Sequence, residues 1–317
     1  MIIEAVSVVV VVAFALVNGV NDGGTVVGTG LRTSSRRPWL PILLLVGALA
    51  ALPLLGTWVA RTLAERLVDF EGDGGRLTLI VAVTATMVVV WALSARGLPT
   101  SLTLGLVGAI AGAGAASGLA VDWGLVGFVL VVAALAPAVG LLGALALQRS
   151  LWPLLGPLGW MRRGLLRVGY LLQCLAYGAN DGQKMLAVLA VVGISSPVAE
   201  VPAHLWLATV VAFAAGTVVG VARLGPTLSG GVLPVRLEQA GVAQTSSAAA
   251  VLVSAGLGSP VSLTQAVTAG MIGSGIGLTP RRVRWQVATR IALAWAVTLP
   301  AAFAVAAVAT IASGMLP

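Results

Sequence analysis

Apolar residues run through this chain in long blocks of Val, Leu, Ala and Gly, without the alternation that a membrane barrel would show, so the pattern predicts helices. Candidate membrane spans lie near 3–17, 40–60, 77–95, 98–118 and 123–147, then near 167–194, 203–222, 242–257, 260–279 and 285–312. With about 20 residues per crossing, the chain has room for roughly ten spans and little else. Trp39, Trp58, Trp91, Trp123, Trp206 and Trp285 fall near predicted span ends, as an interfacial aromatic belt would. The first segment, Ile2 to Val17, carries Glu4 and no Lys or Arg before Arg32, so it reads as a retained helix and not as a secretory signal.

Polar groups interrupt these blocks twice, in the same way. Gly19-Val20-Asn21-Asp22-Gly23 returns as Gly178-Ala179-Asn180-Asp181-Gly182. Pro99-Thr100-Ser101-Leu102-Thr103 begins 77 residues after Asp22, and Pro260-Val261-Ser262-Leu263-Thr264 begins 79 residues after Asp181. Two motifs in one order at nearly one spacing mark an internal duplication. The reading is an all-α integral membrane protein with two repeats, 1–147 and 167–317, joined by an amphipathic cytoplasmic linker over 148–166.

Composition agrees: 59% of residues are apolar, 9% are charged and the mean hydropathy is +1.05, against about 25% charged in soluble domains. The net charge of +8 is topogenic, so nucleic acid is excluded as a partner and the lipid bilayer takes its place. Placing the N-terminus outside puts Arg32, Arg36, Arg37, Arg96, Arg149, Arg162, Arg163, Arg167, Arg223, Arg236, Arg281, Arg282 and Arg284 in inside loops. The outside loops keep Arg61, Arg66 and Arg76, offset by Glu65, Asp69, Glu71 and Asp73. That satisfies the positive-inside rule and, with five crossings per half, inverts the second repeat relative to the first. Both termini then lie outside the cytoplasmic membrane. A single Cys174 and a single His204 leave no disulfide or Cys/His metal set.

Polar residues within membrane spans are costly and mark function, and interrupted helices in matching positions point to a transporter's binding site. Glycine and asparagine at 19, 21, 178 and 180 are expected to unwind the helices and free carbonyls for a cation. Asp22 and Asp181, beside Asn21 and Asn180, supply hard oxygen ligands for Na⁺ or sites for a proton. Pro99 and Pro260 are expected in the first turns of half-helices, with Ser101, Thr103, Ser262 and Thr264 one turn inside. Two helix N-termini and four hydroxyls facing each other suit a tetrahedral oxyanion. The plainer alternatives are Asn-Asp helix caps near the interface, and hydroxyls bonded within their own helices. Lys184, matched by Thr25 in the first copy, either pairs with Asp181 or contacts the anion. Gly108-x-x-x-Gly112 and Gly216-x-x-x-Gly220 read as close helix packing.

Gly178-Ala179-Asn180-Asp181-Gly182-Gln183-Lys184 resembles the Gly-Ala-Asn-Asp signature of the inorganic phosphate transporter family in its bacterial form. Gly258 to Gln265 resembles that family's second motif, and the first copy matches through Asn21-Asp22, Gly28-Thr29 and Leu98 to Ser101. The resemblance covers the whole chain. It implies symport of inorganic phosphate with Na⁺ or H⁺, no further cofactor and no enzymatic activity, by alternating access between inverted repeats with both termini outside. The hairpin motifs depart from the family's Thr-Thr-His, reading Leu102-Thr103-Leu104 and Leu263-Thr264-Gln265. Sulfate is the alternative substrate within the family. A passive channel and an intramembrane aspartyl protease are alternatives from other classes; the protease would leave the Ser/Thr clusters without a role. Homo-oligomerisation is left open.

Overall fold

The computed structural model describes residues 2–31, 39–70, 72–94, 96, 100–155, 159–194, 198–230 and 237–314, and they are almost entirely helical. In the first half, α1 (Ile2–Asn18) passes through a π-helical turn (Gly19–Gly23) into α2 (Gly24–Leu31). Next come α3 (Trp39–Leu55) and the short α4 (Trp58–Arg61), which runs on as a π turn to Arg66. Then follow α5 (Gly72–Ser94), α6 (Leu102–Ala116), α7 (Trp123–Ala146) and, after a further π turn, α8 (Trp152–Leu155). The second half opens with α9 (Gly159–Tyr177), a π turn (Gly178–Gly182), α10 (Gln183–Val188) and another π turn (Leu189–Ile194). It closes with α11 (Ala203–Gly230), α12 (Leu237–Gly256), α13 (Leu263–Leu278) and α14 (Trp285–Ala312).

The surface is that of a membrane protein. Large apolar side chains such as Val9, Leu55, Val131, Leu142, Val211 and Leu293 are exposed, while Asp22, Asn180, Asp181, Gln183 and Lys184 are buried. Trp39, Trp58, Trp91, Trp123 and Trp285 are more than half exposed, as the aromatic belt requires; Trp206 instead turns inward and donates to the Ala50 carbonyl at 2.9 Å. Among the described residues, five helices are long and apolar enough to cross a bilayer: Glu4–Leu31, Gly74–Ser94, Trp123–Leu151, Ala203–Ala222 and Trp285–Ala312. The pair Trp39–Leu55 and Trp58–Arg66 meets the same test only when taken together and is bent by 71° at its break, the shape of a broken span or of a re-entrant segment. Length and apolarity therefore establish a multi-pass protein, and not the full count of ten.

Two of the expected spans are short. α6 has 15 residues and α13 has 16; at about 1.5 Å rise per residue each falls short of a bilayer core of roughly 30 Å. They are half-length helices, and each lies against a full-length helix of the other half: α6 on α14, and α13 on α7. The exchange is reciprocal elsewhere too. α11 packs on α1, its π turn and α2, while α3 packs on α9 and its π turn. Glycine permits these crossings: a methyl on Gly108 or Gly112 would strike α14 carbonyls, and one on Gly216 or Gly220 would strike carbonyls at Leu16 and Val20.

The Asn-Asp segments do not unwind, contrary to the expectation from their composition. The backbone stays right-handed helical at Asn18 and Gly24, and the Gly24 N–H reaches back five residues to the Gly19 carbonyl. The second copy forms the same wide turn over Gly178–Gly182. Packing supplies the reason for glycine here, since a methyl at Gly19 would strike the Phe213 carbonyl and one at Gly178 the Ala48 carbonyl. A π turn shifts the register of the helix without abandoning its hydrogen bonds, and such turns recur at functional sites.

Candidate buried ion site

The two copies of the duplicated motif meet at one place. Thr103, in the first turn of α6, donates from Oγ1 to the Val261 carbonyl just ahead of α13 at 3.0 Å. The N-terminal ends of the two half-length helices therefore adjoin. Each is capped by a serine in extended conformation: Ser101 Oγ accepts from the Leu104 N–H at 3.2 Å, and Ser262 Oγ from the Gln265 N–H at 3.3 Å. These serines are N-caps, not residues one turn inside, because their hydroxyls satisfy amides that the helix start leaves open. Pro260 correspondingly stands two residues ahead of the cap and outside the first turn; Pro99 lies outside the described residues.

The π turns bring the carboxylates to these helix ends. Asn180 anchors the α13 lead-in, with Nδ2 donating to the Ser259 carbonyl and Oδ1 accepting from the Val261 N–H, each at 3.3 Å. Asp181 holds Lys184 one turn on, Nζ to Oδ1 at 2.6 Å. The same Nζ donates to Thr103 Oγ1 at 2.5 Å and to the Val261 carbonyl at 2.6 Å. Of the two readings open for Lys184, the ion pair is the one that forms. Asp181 Oδ2 is buried and has no hydrogen-bond partner among the described residues.

In the first copy, Asn21 Nδ2 donates to Asp22 Oδ1 at 3.0 Å, and the Thr264 hydroxyl lies beside the Asp22 carboxylate. Thr264 and Ser262 share a hydroxyl contact at 2.9 Å. Asp22 lies within electrostatic reach of both Asp181 and Lys184. Asp22, Asp181 and Lys184 are at most 4% exposed, so the cluster is enclosed by protein on all sides. All nine predicted residues have places in this arrangement, with Asn21 and Thr264 half-buried at its edge. Carboxylate, hydroxyl and carbonyl oxygens form a ligand set for a hard cation; two capped helix starts beside them suit an anion.

Residues 18–168 and 160–306 match the phosphate transporter family. The chain belongs to this family. A probable low-affinity inorganic phosphate transporter of Mycobacterium leprae is 35% identical over 95% of this chain and 76% of its own length. One of Bacillus subtilis is 25% identical over 98% of this chain and 96% of its own. The fold superimposes on a solved structure, the sodium-dependent phosphate transporter, with a TM-score of 0.80 over 99% of this chain and 100% of that one, at 17% identity.

Three partners of this phosphate transporter family site escape a reading of motifs. Tyr177, directly before the second motif, donates its buried hydroxyl to Asn18 Oδ1 at 2.9 Å, directly before the first, and so ties the two copies together. Gln183 accepts the Val59 and Ala60 N–H groups at 2.7 and 3.2 Å, capping α4. Val261 contributes only backbone groups, its N–H to Asn180 and its carbonyl to Thr103 and Lys184, which no side-chain pattern signals. Tyr177 and Gln183 adjoin the motif, and that adjacency is the one signal the sequence offers for them.

Proposed function

We propose that the protein is an ion-coupled symporter that carries inorganic phosphate across the cytoplasmic membrane. In this reading two inverted repeats, 1–147 and 167–317, joined by 148–166, alternate access around the buried cluster. The observation that carries it is the convergence of both Asn-Asp turns and both capped half-helix starts on one enclosed site. Asp22 binds the coupling cation, with Asn21 and Thr264 beside it. The helix starts at Ser101 and Ser262, with Thr264 and Asn180, hold the anion, while the Thr103 hydroxyl is taken up by Val261 and Lys184. With Asp181 paired to Lys184, the Asp22 carboxylate repels phosphate, and a cation arriving with the substrate offsets that repulsion; this is the physical reason for coupling. The names of the mycobacterial and Bacillus relatives support phosphate over sulfate, and the sodium-dependent structural neighbour makes Na⁺ the first ion to try, ahead of H⁺.

The test is radiolabelled phosphate uptake into proteoliposomes under an imposed Na⁺ or proton gradient, with excess unlabelled sulfate present. Uptake that follows one gradient and resists sulfate is expected. Asp22→Asn is expected to abolish uptake while the protein remains folded, because Asp22 has no direct ion pair to lose among the described residues. Gradient-driven uptake at full rate by Asp22→Asn would overturn the role of that residue, and uptake blocked by sulfate would overturn the substrate.

A further inference from the structure

The two halves of the site are not equivalent, and the difference is one charge. In the second copy the Lys184 ammonium is surrounded by Asp181 Oδ1, Thr103 Oγ1 and the Val261 carbonyl, at 2.6, 2.5 and 2.6 Å. An ammonium has three hydrogens to donate, and here all three are used. The ammonium is fully buried and has no donor left for a transported anion. Its three oxygens, one carboxylate, one hydroxyl and one carbonyl, come from three different segments, the kind of oxygen set that a hard cation takes.

The register of the duplication supplies the comparison. Asp22 matches Asp181, Thr264 matches Thr103, Thr100 matches Val261 and Thr25 matches Lys184. The oxygens thus recur in type, and Thr264 stands beside Asp22. The lysine does not recur: Thr25 turns its hydroxyl to the Asn21 carbonyl in its own helix at 2.7 Å. The second copy carries its own positive charge, and the first does not.

We infer that Lys184 is a tethered cation, occupying in the second half-site the place that a coupling ion takes at Asp22 in the first. The inference rests on the proposed cation role of Asp22. Its consequence is stoichiometric: the protein moves one cation fewer per phosphate than it would with both half-sites open, because one positive charge never leaves.

Two substitutions of the full-length protein test this. Lys184→Thr installs the first copy's residue and opens the second half-site; Lys184→Met fills the volume without charge. Phosphate uptake and thermal unfolding are measured while Na⁺ replaces choline at constant osmolarity. Lys184→Thr is expected to lose uptake roughly ten-fold near 1 mM Na⁺ and to regain it near 300 mM, with its melting temperature rising alongside, as ligand binding to the folded state requires. Its uptake should gain dependence on about one more Na⁺ than the parent protein's, and charge moved per phosphate should rise accordingly. Lys184→Met should stay inactive at every concentration. The inference is overturned if Lys184→Thr keeps the parent's cation dependence, or if neither Na⁺, Li⁺ nor K⁺ restores its fold and uptake while Lys184→Arg remains folded. Unfolding reads ion binding without transport, so these outcomes stay separate from the Asp22→Asn uptake test of the proposed function.

Discussion

Lys184 and Asp181 show what a buried ion pair demands of its neighbours. Removing one partner of such a pair leaves a bare charge and costs about 3–5 kcal/mol, whereas replacing both with apolar groups is often close to neutral. Asp181→Asn is therefore expected to lower the thermal stability of the purified protein strongly, and Asp181→Asn combined with Lys184→Met to recover most of that loss. Equal stability of the single and double variants would mean that the pair carries no coupling. At this scale the sequence was most legible. Asn21, Asp22, Asn180 and Asp181 stood out because polar groups are rare in membrane spans, and the Ser/Thr clusters because they repeat. The partner of Lys184 was not fixed by pattern, since a lysine one turn from an aspartate can face it or turn away. The Val261 carbonyl was invisible, as every backbone carbonyl is.

Helices and their ends were legible where apolar blocks are long and less so at the site. The half-length of α6 and α13 does not show in hydropathy, which runs on through the loops before Ser101 and Ser262. Glycine and asparagine in the Asn-Asp segments signalled a weakened helix, but the same composition serves a π turn pressed against a neighbouring backbone. Packing decides between the two. The break between α3 and α4 follows from Pro53, which removes a helix N–H, and from Gly56. Gln183 repairs the far side of that break by accepting two α4 amides. Gln183→Leu should destabilise the protein by about 1–3 kcal/mol, because it strands buried donors. Thermal unfolding of the variant checks this, and an unchanged melting temperature would show that α4 needs no cap.

Across the whole molecule, contacts bring together ends that the loop-charge scheme assigns to one side. Arg76 reaches Ser7 Oγ and the Val192 carbonyl at 3.0 and 3.1 Å, and all three positions fall at outer ends in that scheme. Asp69 and Asp122 donate their backbone N–H groups to Ala120 and Leu67, joining two loops both assigned outside. Tyr170, at an inner end, donates to the Pro41 carbonyl. In a Cys174→Ser background, Ala120→Cys should react with a membrane-impermeant thiol reagent from outside the cell, and Ser150→Cys only after the inner face is opened. The reverse pattern would invert the orientation. Duplication was legible from motif spacing, but the crosswise packing of the halves was not, because it depends on which apolar faces meet.

The halves differ where α3 breaks at Gly56 while α11 runs on as one helix past Gly220, packed against Gly24. For a carrier that works as proposed, identical halves would make the outward-open and inward-open forms mirror images of equal free energy. A kinked arm on one side and an unbroken one on the other would lift that degeneracy, so that such a carrier, unloaded, would rest with one gate favoured. Import and export through it would then be kinetically unequal, a rectification built into the backbone and independent of any gradient.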